Sequence, residues 1–127
     1  MSDDTPRARG EAILSVLNPD SAAAQQAALA EIAPEVSAWV TEFAYGTVYA
    51  RPGLGLKERE LVTVAALAAM GHTPAQLRAH LRAARRAGWS QAELIEALMQ
   101  LTVYAGFPAA INALMIARAE FAEEAQP

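Results

Sequence analysis

Cysteine is absent from the 127-residue chain. That excludes a disulfide scaffold, a thiolate zinc site, an iron–sulfur cluster and thiol redox chemistry. Aromatic residues are scarce, at 6%. Positive charge is also in short supply. Ten Lys and Arg face 14 Asp and Glu, for a net charge of −4, so no basic field exists to hold a nucleic-acid backbone. The longest nearly apolar run, Leu61–Gly71, is about half the ~20 residues a transmembrane helix needs. The first residues, Met1-Ser2-Asp3-Asp4-Thr5-Pro6, are polar and acidic rather than the start of a signal peptide. Apolar and polar residues nowhere alternate over a strand length. These absences predict a soluble, cytoplasmic, all-α protein with neither a membrane nor a nucleic-acid partner.

What is present is helix-forming. Hydrophobic residues make up 54% of the chain, and about a quarter of all residues are Ala. Punctuation divides the chain into six to seven helices. The first is expected from Arg7 to Leu17, ended by Asn18-Pro19. Asp20 or Ser21 would cap the next, to about Ile32. Pro34 opens a third that should reach Tyr49. Arg51-Pro52-Gly53-Leu54-Gly55 reads as a loop. Helices are then expected over 57–70, from Thr73-Pro74 to Ala87 with Gly88 closing it, from a Ser90–Glu93 capping box to Tyr104, and from Gly106-Phe107-Pro108 to Glu123. Residues 1–33 form an N-terminal arm in this reading, 34–123 a helical domain and 124–127 a tail.

The helix over 57–70 is apolar all round after Glu60, which predicts burial on every side. A chain this small has few such positions, so a subunit interface is the economical cover and a homo-oligomer is expected. A central helix within a monomeric bundle is the alternative.

No phosphate-binding loop, His-Glu-x-x-His or nucleophile elbow occurs, and no metal site is expected. His72 lies in a helix–helix turn and reads as solvated. His80 lies mid-helix at the edge of an apolar face formed by Leu77, Leu81 and Ala84. Glu60 is in phase with Val64 and Leu67 on the preceding antiparallel helix. The two lie roughly 15 and 10 Å from the turn, about one helical turn apart in height. They can therefore form a Glu–His pair, which shares a proton easily. A core His beside an unrelated surface Glu would give the same pattern. Gln100 is flanked by apolar residues and would need a buried partner. Glu93, Ala97, Gln100 and Tyr104 share one stripe. Arg78, Arg82, Arg85 and Arg86 read as a solvated face. Arg51 and Arg59, if turned inward, offer bidentate contacts for a dicarboxylate.

An ordered set of segments resembles the carboxymuconolactone decarboxylase family, within the alkylhydroperoxidase-like superfamily. The set is Phe43-Ala44-Tyr45-Gly46, Tyr49-Ala50-Arg51-Pro52-Gly53-Leu54, Arg59-Glu60-Leu61-Val62-Thr63, His80-Leu81-Arg82, Val103-Tyr104-Ala105-Gly106-Phe107-Pro108-Ala109 and Asn112-Ala113. They share one register over residues 35–122, and Arg9-Gly10-Glu11 to Asn18 is similar to the decarboxylase's N-terminal arm. The resemblance implies an all-α fold round a helical hairpin, assembled as a homotrimer or homohexamer. The family's redox branch carries a Cys-x-x-Cys before its His. Thr73 and Gln76 stand at those places, which excludes peroxidase chemistry. Glu60 and His80 match that branch's proton-handling pair. The decarboxylase branch converts 4-carboxymuconolactone to 3-oxoadipate enol-lactone, in the 3-oxoadipate pathway of aromatic catabolism, with no cofactor. The resemblance thus implies a lyase with His80 as general acid and Glu60 orienting it. Arg51 or Arg59 would hold a substrate carboxylate, and Tyr104 or Gln100 would face an enolate oxygen. A non-catalytic oligomeric protein binding a small ligand or another protein is the alternative from a different class.

Overall fold

The computed structural model describes residues 3–126. Met1, Ser2 and Pro127 lie outside them, as do the parts of the leader and tail expectations that fall on those residues. All regular structure among the described residues is helical. No helix among them is long and apolar enough to cross a membrane. The chain forms two compact units, residues 1–55 and 56–127.

The first unit holds α1 (Pro6–Leu17), α2 (Pro19–Leu29) and α3 (Pro34–Trp39), followed without a break by a wider π-type helix over Val40–Tyr49. Thr5 caps α1 by accepting a hydrogen bond from the Ala8 N–H. The expected cap of α2 at Asp20 or Ser21 is corrected to Asn18, because Pro19 already occupies the first helical position and its missing N–H costs nothing there. The helix also ends at Leu29 rather than Ile32. The single helix expected over 34–49 changes its winding at Val40. Apolar spacing read at the 3.6-residue period does not mark such a change of winding.

The close approach of α1 and the π-type helix rests on two glycines. A Cβ at Gly10 would collide with the Thr41 carbonyl, and one at Gly46 with the Pro6 carbonyl. Arg9 Nε adds a hydrogen bond to the Gly46 carbonyl at 3.0 Å. Gly10→Ala is therefore expected to destabilise the first unit by about 1–3 kcal/mol through overpacking, read as a lower urea midpoint.

The second unit begins with a hairpin of α4 (Leu56–Met70) and α5 (Pro74–Ala87), joined by a three-residue turn. It continues with α6 (Gln91–Gln100) and α7 (Phe107–Glu124). Its core gathers Val64 and Ala68 from α4, Leu77, Leu81 and Ala84 from α5, Leu94 and Leu98 from α6, and Ala113, Ala117 and Phe121 from α7. Alanine at many contact positions lets the helix axes lie close, so the core needs few large side chains.

The punctuation of this unit is largely as expected. Gly88 adopts φ 117°, a left-handed value that favours Gly. It bonds the Arg85 carbonyl, while the Trp89 N–H bonds the Ala84 carbonyl, both at 3.1 Å. Together they form a Schellman closure of α5. The Ser90–Glu93 capping box is complete, with bonds of 2.9 and 3.0 Å. One boundary is corrected: α6 stops at Gln100, not Tyr104. The N–H groups of Ala105 and Gly106 converge on the Leu101 carbonyl, and Gly106 turns to φ 99°. Residues 101–105 are consequently a turn.

Two further expectations change. α4 buries one stripe, Glu60, Val64 and Ala68, but Val62 and Met70 remain 60% and 53% exposed. Burial on every side is not met within this chain, because the helices of the unit cover only one side of α4. The arginines of α5 are not simply a solvated face. Arg78 and Arg82 both bond the buried Glu120 carboxylate of α7, at 3.0 and 2.8 Å, and Arg78 reaches Glu123 as well. Arg85 grips Glu124 through two nitrogens. Acids one helical turn apart on α7 thus meet arginines at matching spacing on α5, a pairing that neither helix reveals by itself.

These contacts set a pH dependence. The Arg85 guanidinium holds the Glu124 carboxyl below its ordinary value of 4.5. The Ser90 backbone N–H and then its hydroxyl do the same for Glu93. Carboxyls lowered in the folded chain stabilise it above their ordinary range, and that contribution is lost as pH falls through the lowered values. The melting temperature is expected to fall with acidification from about pH 4.5 downward, with a shallower fall in Glu124→Gln.

Candidate active site

Glu60 sits in the second turn of α4 and faces the core together with Val64 and Ala68. Burial of such a carboxylate needs a polar partner, since desolvation disfavours the charge. His80 supplies it from the middle of α5. Its Nδ1 lies 2.9 Å from Glu60 Oε2. Glu60 is fully buried, whereas the His80 side chain is 17% exposed. The pair therefore runs from the core to the surface.

The tautomer of the imidazole sets the direction of this bond. Opposite an ionised carboxylate, which only accepts, Nδ1–H donates and the proton of a neutral His80 resides on Nδ1. Nε2 then carries the lone pair, or a second proton in the imidazolium. The other carboxylate oxygen, Oε1, is buried and makes no hydrogen bond. His80 is thus the polar anchor of Glu60 among the described residues. Such a pair can pass a proton along its bond, and Nε2 is the ring nitrogen not engaged with Glu60.

Arg59 precedes Glu60 on α4 and is half-buried. Arg51 is an exposed residue of the first unit. Gln100 is exposed at the end of α6, which corrects the expectation of a buried partner. Its apolar neighbours in sequence occupy other faces of the helix. Tyr104 lies in the turn after α6, off the expected stripe, and is 100% exposed. His72 is exposed in the hairpin turn, with Nδ1 2.9 Å from the Met70 carbonyl.

A shallow, mostly apolar pocket opens at the turn end of the hairpin, where Leu67, Thr73 and Leu77 face Asn112 and Ile116 of α7. Thr73 Oγ1 donates to the Leu67 carbonyl at 3.2 Å. Gln76, at the other place where the redox branch has a thiol, is exposed. Sequence reasoning passed over Trp89, whose indole Nε1–H donates to the Lys57 carbonyl at 2.6 Å. Its signal was an aromatic directly after a helix-closing glycine.

The all-α scaffold thus holds an antiparallel hairpin that buries a Glu–His pair, with hydroxyl and amide residues where thiols would stand. Residues 34–119 match the sequence profile of the carboxymuconolactone decarboxylase family, and the chain belongs to that family. Over 83 residues it is 41% identical to a 4-carboxymuconolactone decarboxylase of Acinetobacter baylyi, an alignment covering 65% of this chain and 61% of that enzyme. It is 37% identical over 78 residues to a nitrosuccinic acid decarboxylase of Metarhizium robertsii, covering 61% and 53% of the two chains. Similarity to an uncharacterised 15.0 kDa protein of Paracoccus denitrificans is more extensive, 32% over 116 residues, or 91% of this chain and 87% of that protein. The chain therefore spans about three fifths of the Acinetobacter enzyme and about half of the Metarhizium one.

The energetic dependence within the pair can be measured directly. His80→Leu strands the buried Glu60 carboxylate and is expected to cost about 3 kcal/mol. The double variant Glu60→Leu/His80→Leu is expected to recover most of that loss, because neither buried charge nor unmet acceptor remains. Urea unfolding of the parent, of Glu60→Leu and His80→Leu singly, and of the double variant closes the cycle.

Proposed function

We propose that the protein is a carboxy-lyase acting on a small lactone or dicarboxylate, with 4-carboxymuconolactone, giving 3-oxoadipate enol-lactone, as the leading substrate. The observation that carries the reading is the 2.9 Å Glu60–His80 bond, which leaves His80 Nε2 as the reactive nitrogen. The family membership supports it. So does the chemistry shared by the named acids. Loss of carbon dioxide from 4-carboxymuconolactone leaves an electron pair conjugated with the lactone carbonyl. Loss from nitrosuccinic acid beside its nitro group would leave a nitronate. In each case the substrate supplies its own electron sink.

The work left to the protein is to hold carboxylates, stabilise oxyanion charge and deliver a proton to carbon. The bond from the ring carbon to the departing carboxylate breaks, and its electron pair passes to the dienolate oxygen as carbon dioxide leaves. Imidazolium His80 then gives its Nε2 proton to carbon. Neutral imidazole remains, with Nδ1–H still donating to Glu60. Glu60 holds the ring in orientation. In this proposal Arg59, beside Glu60 on α4, is a carboxylate ligand, and Arg51 is a second candidate.

We also propose a homotrimer or homohexamer. Val62 and Met70 on α4, Met99 on α6, and Phe107, Ile111 and Met115 on α7 are exposed apolar residues of the second unit. Such a concentration exceeds the scattered apolar residues of an ordinary monomer surface. Fully exposed Tyr104, and Gln100 near it in sequence, can serve as substrate contacts only from a neighbouring subunit in this reading.

The test is incubation with freshly prepared 4-carboxymuconolactone, following formation of the enol-lactone. Turnover is expected, and His80→Ala should lower kcat/KM by roughly 10²-fold or more, as for loss of a general acid. Undiminished turnover in His80→Ala would remove His80 from the mechanism. Substrate binding without turnover by the parent protein would favour the non-catalytic ligand-binding alternative.

A further inference from the structure

The Glu60–His80 pair joins two helices, so its length depends on how far α4 slides along α5. The turn at Gly71–Thr73 controls this poorly, because Glu60 is ten residues before Met70, or ~15 Å along the helix. The other end of the hairpin has a closer restraint. Trp89 Nε1–H donates to the carbonyl of Lys57, three residues before Glu60 and thus ~4.5 Å away along α4.

The backbone of Trp89 is tied to the helix that carries His80. Its N–H bonds the Ala84 carbonyl at 3.1 Å, and its own carbonyl accepts from Arg85 Nη1 at 3.0 Å. Arg85 is held in turn by Glu124. The Lys57 ammonium lies 4.4 Å from the centre of the indole ring, a cation–π contact that adds to the hydrogen bond. The residue is therefore fixed to α5 by its main chain and to α4 by its side chain.

We propose that Trp89 is a positioning residue for the Glu60–His80 pair, its indole N–H holding the first turn of α4 at the height that keeps Glu60 against His80. The magnitudes favour this role. A slip of one residue moves a helix by 1.5 Å, and a bond of 2.9 Å stretched by even half of that exceeds hydrogen-bonding distance. The consequence for turnover rests on His80 being the proton donor. The positioning itself rests only on this geometry.

The experiment reads His80 directly by nitrogen-resolved NMR of the neutral imidazole in the full chain, comparing the parent with Trp89→Phe. Phenylalanine keeps an aromatic face for Lys57 and removes the donor. The parent is expected to show the Nδ1–H tautomer. In Trp89→Phe an Nε2–H population should emerge, with roughly tenfold faster solvent exchange of Nδ1–H, the effect of weakening a hydrogen bond to a charged acceptor. Leu94→Ala, a core substitution in α6, serves as the control for general loosening. It should lower stability and leave the tautomer in place.

An unchanged tautomer and exchange rate in folded Trp89→Phe would overturn the proposal, as would an equal tautomer shift in Leu94→Ala. If Trp89→Phe does not fold, 3-benzothienylalanine at position 89 preserves the ring size without the N–H, and the same two outcomes decide. With a turned-over substrate, kcat should fall while KM holds. A shifted tautomer with unaltered kcat would uphold the positioning and count instead against His80 as the proton donor.

Discussion

A carboxylate without access to water must find a donor or lose its charge. Glu60 is fully buried at the start of the α4 core stripe, and the donor it finds is His80 on the neighbouring helix. Much of the second unit can be understood as the means of keeping that contact. Val64 and Ala68 continue the Glu60 stripe into the core, where they meet Leu77, Leu81 and Ala84 of the helix that presents His80. The apolar contacts set the spacing between the helices, and the polar contact selects their register. Because Oε1 makes no hydrogen bond, little else in the site shares the task of holding the carboxylate.

Around this pair the unit is fastened at its periphery by charge. Glu120 is nearly as buried as Glu60, but it meets two guanidinium groups, Arg78 and Arg82, rather than an imidazole. The difference matters chemically. A guanidinium keeps its proton under all ordinary conditions, so the Glu120 cluster can hold α7 on α5 but cannot exchange protons with a substrate. An imidazole can do both. Two buried glutamates on one small unit thus meet partners of different kinds, one a pair of guanidinium groups and the other an imidazole.

The absence of cysteine acquires its meaning from this geometry. Thr73 turns its hydroxyl back to the Leu67 carbonyl, and Gln76 is exposed. Neither residue can supply a thiolate, while the Glu–His pair stands without one. Acid–base chemistry on a substrate that can accommodate its own electron pair is the reading we propose for it.

The sequence by itself determined the helical class, most helix ends and the candidate pair. Those features depend on local rules: Pro and Gly restrict φ, Ser and Glu cap helix ends, and a short turn makes two helices antiparallel at a calculable height. The capping box at Ser90, the glycine closure at Gly88 and the meeting of Glu60 with His80 were legible for that reason. Where apolar spacing does not mark a change of winding or an end, local rules failed. The π-type winding after Trp39 and the early end of α6 at Gln100 are such cases, and with that early end Tyr104 left its expected stripe. The tertiary structure alone decided which arginines would be paired and which side of α4 would be covered. It also decided that Gln100 would face outward and that Trp89 would reach the Lys57 carbonyl. Each is a contact between residues distant in the chain, and its existence depends on how helices lie against one another rather than on what any one helix contains.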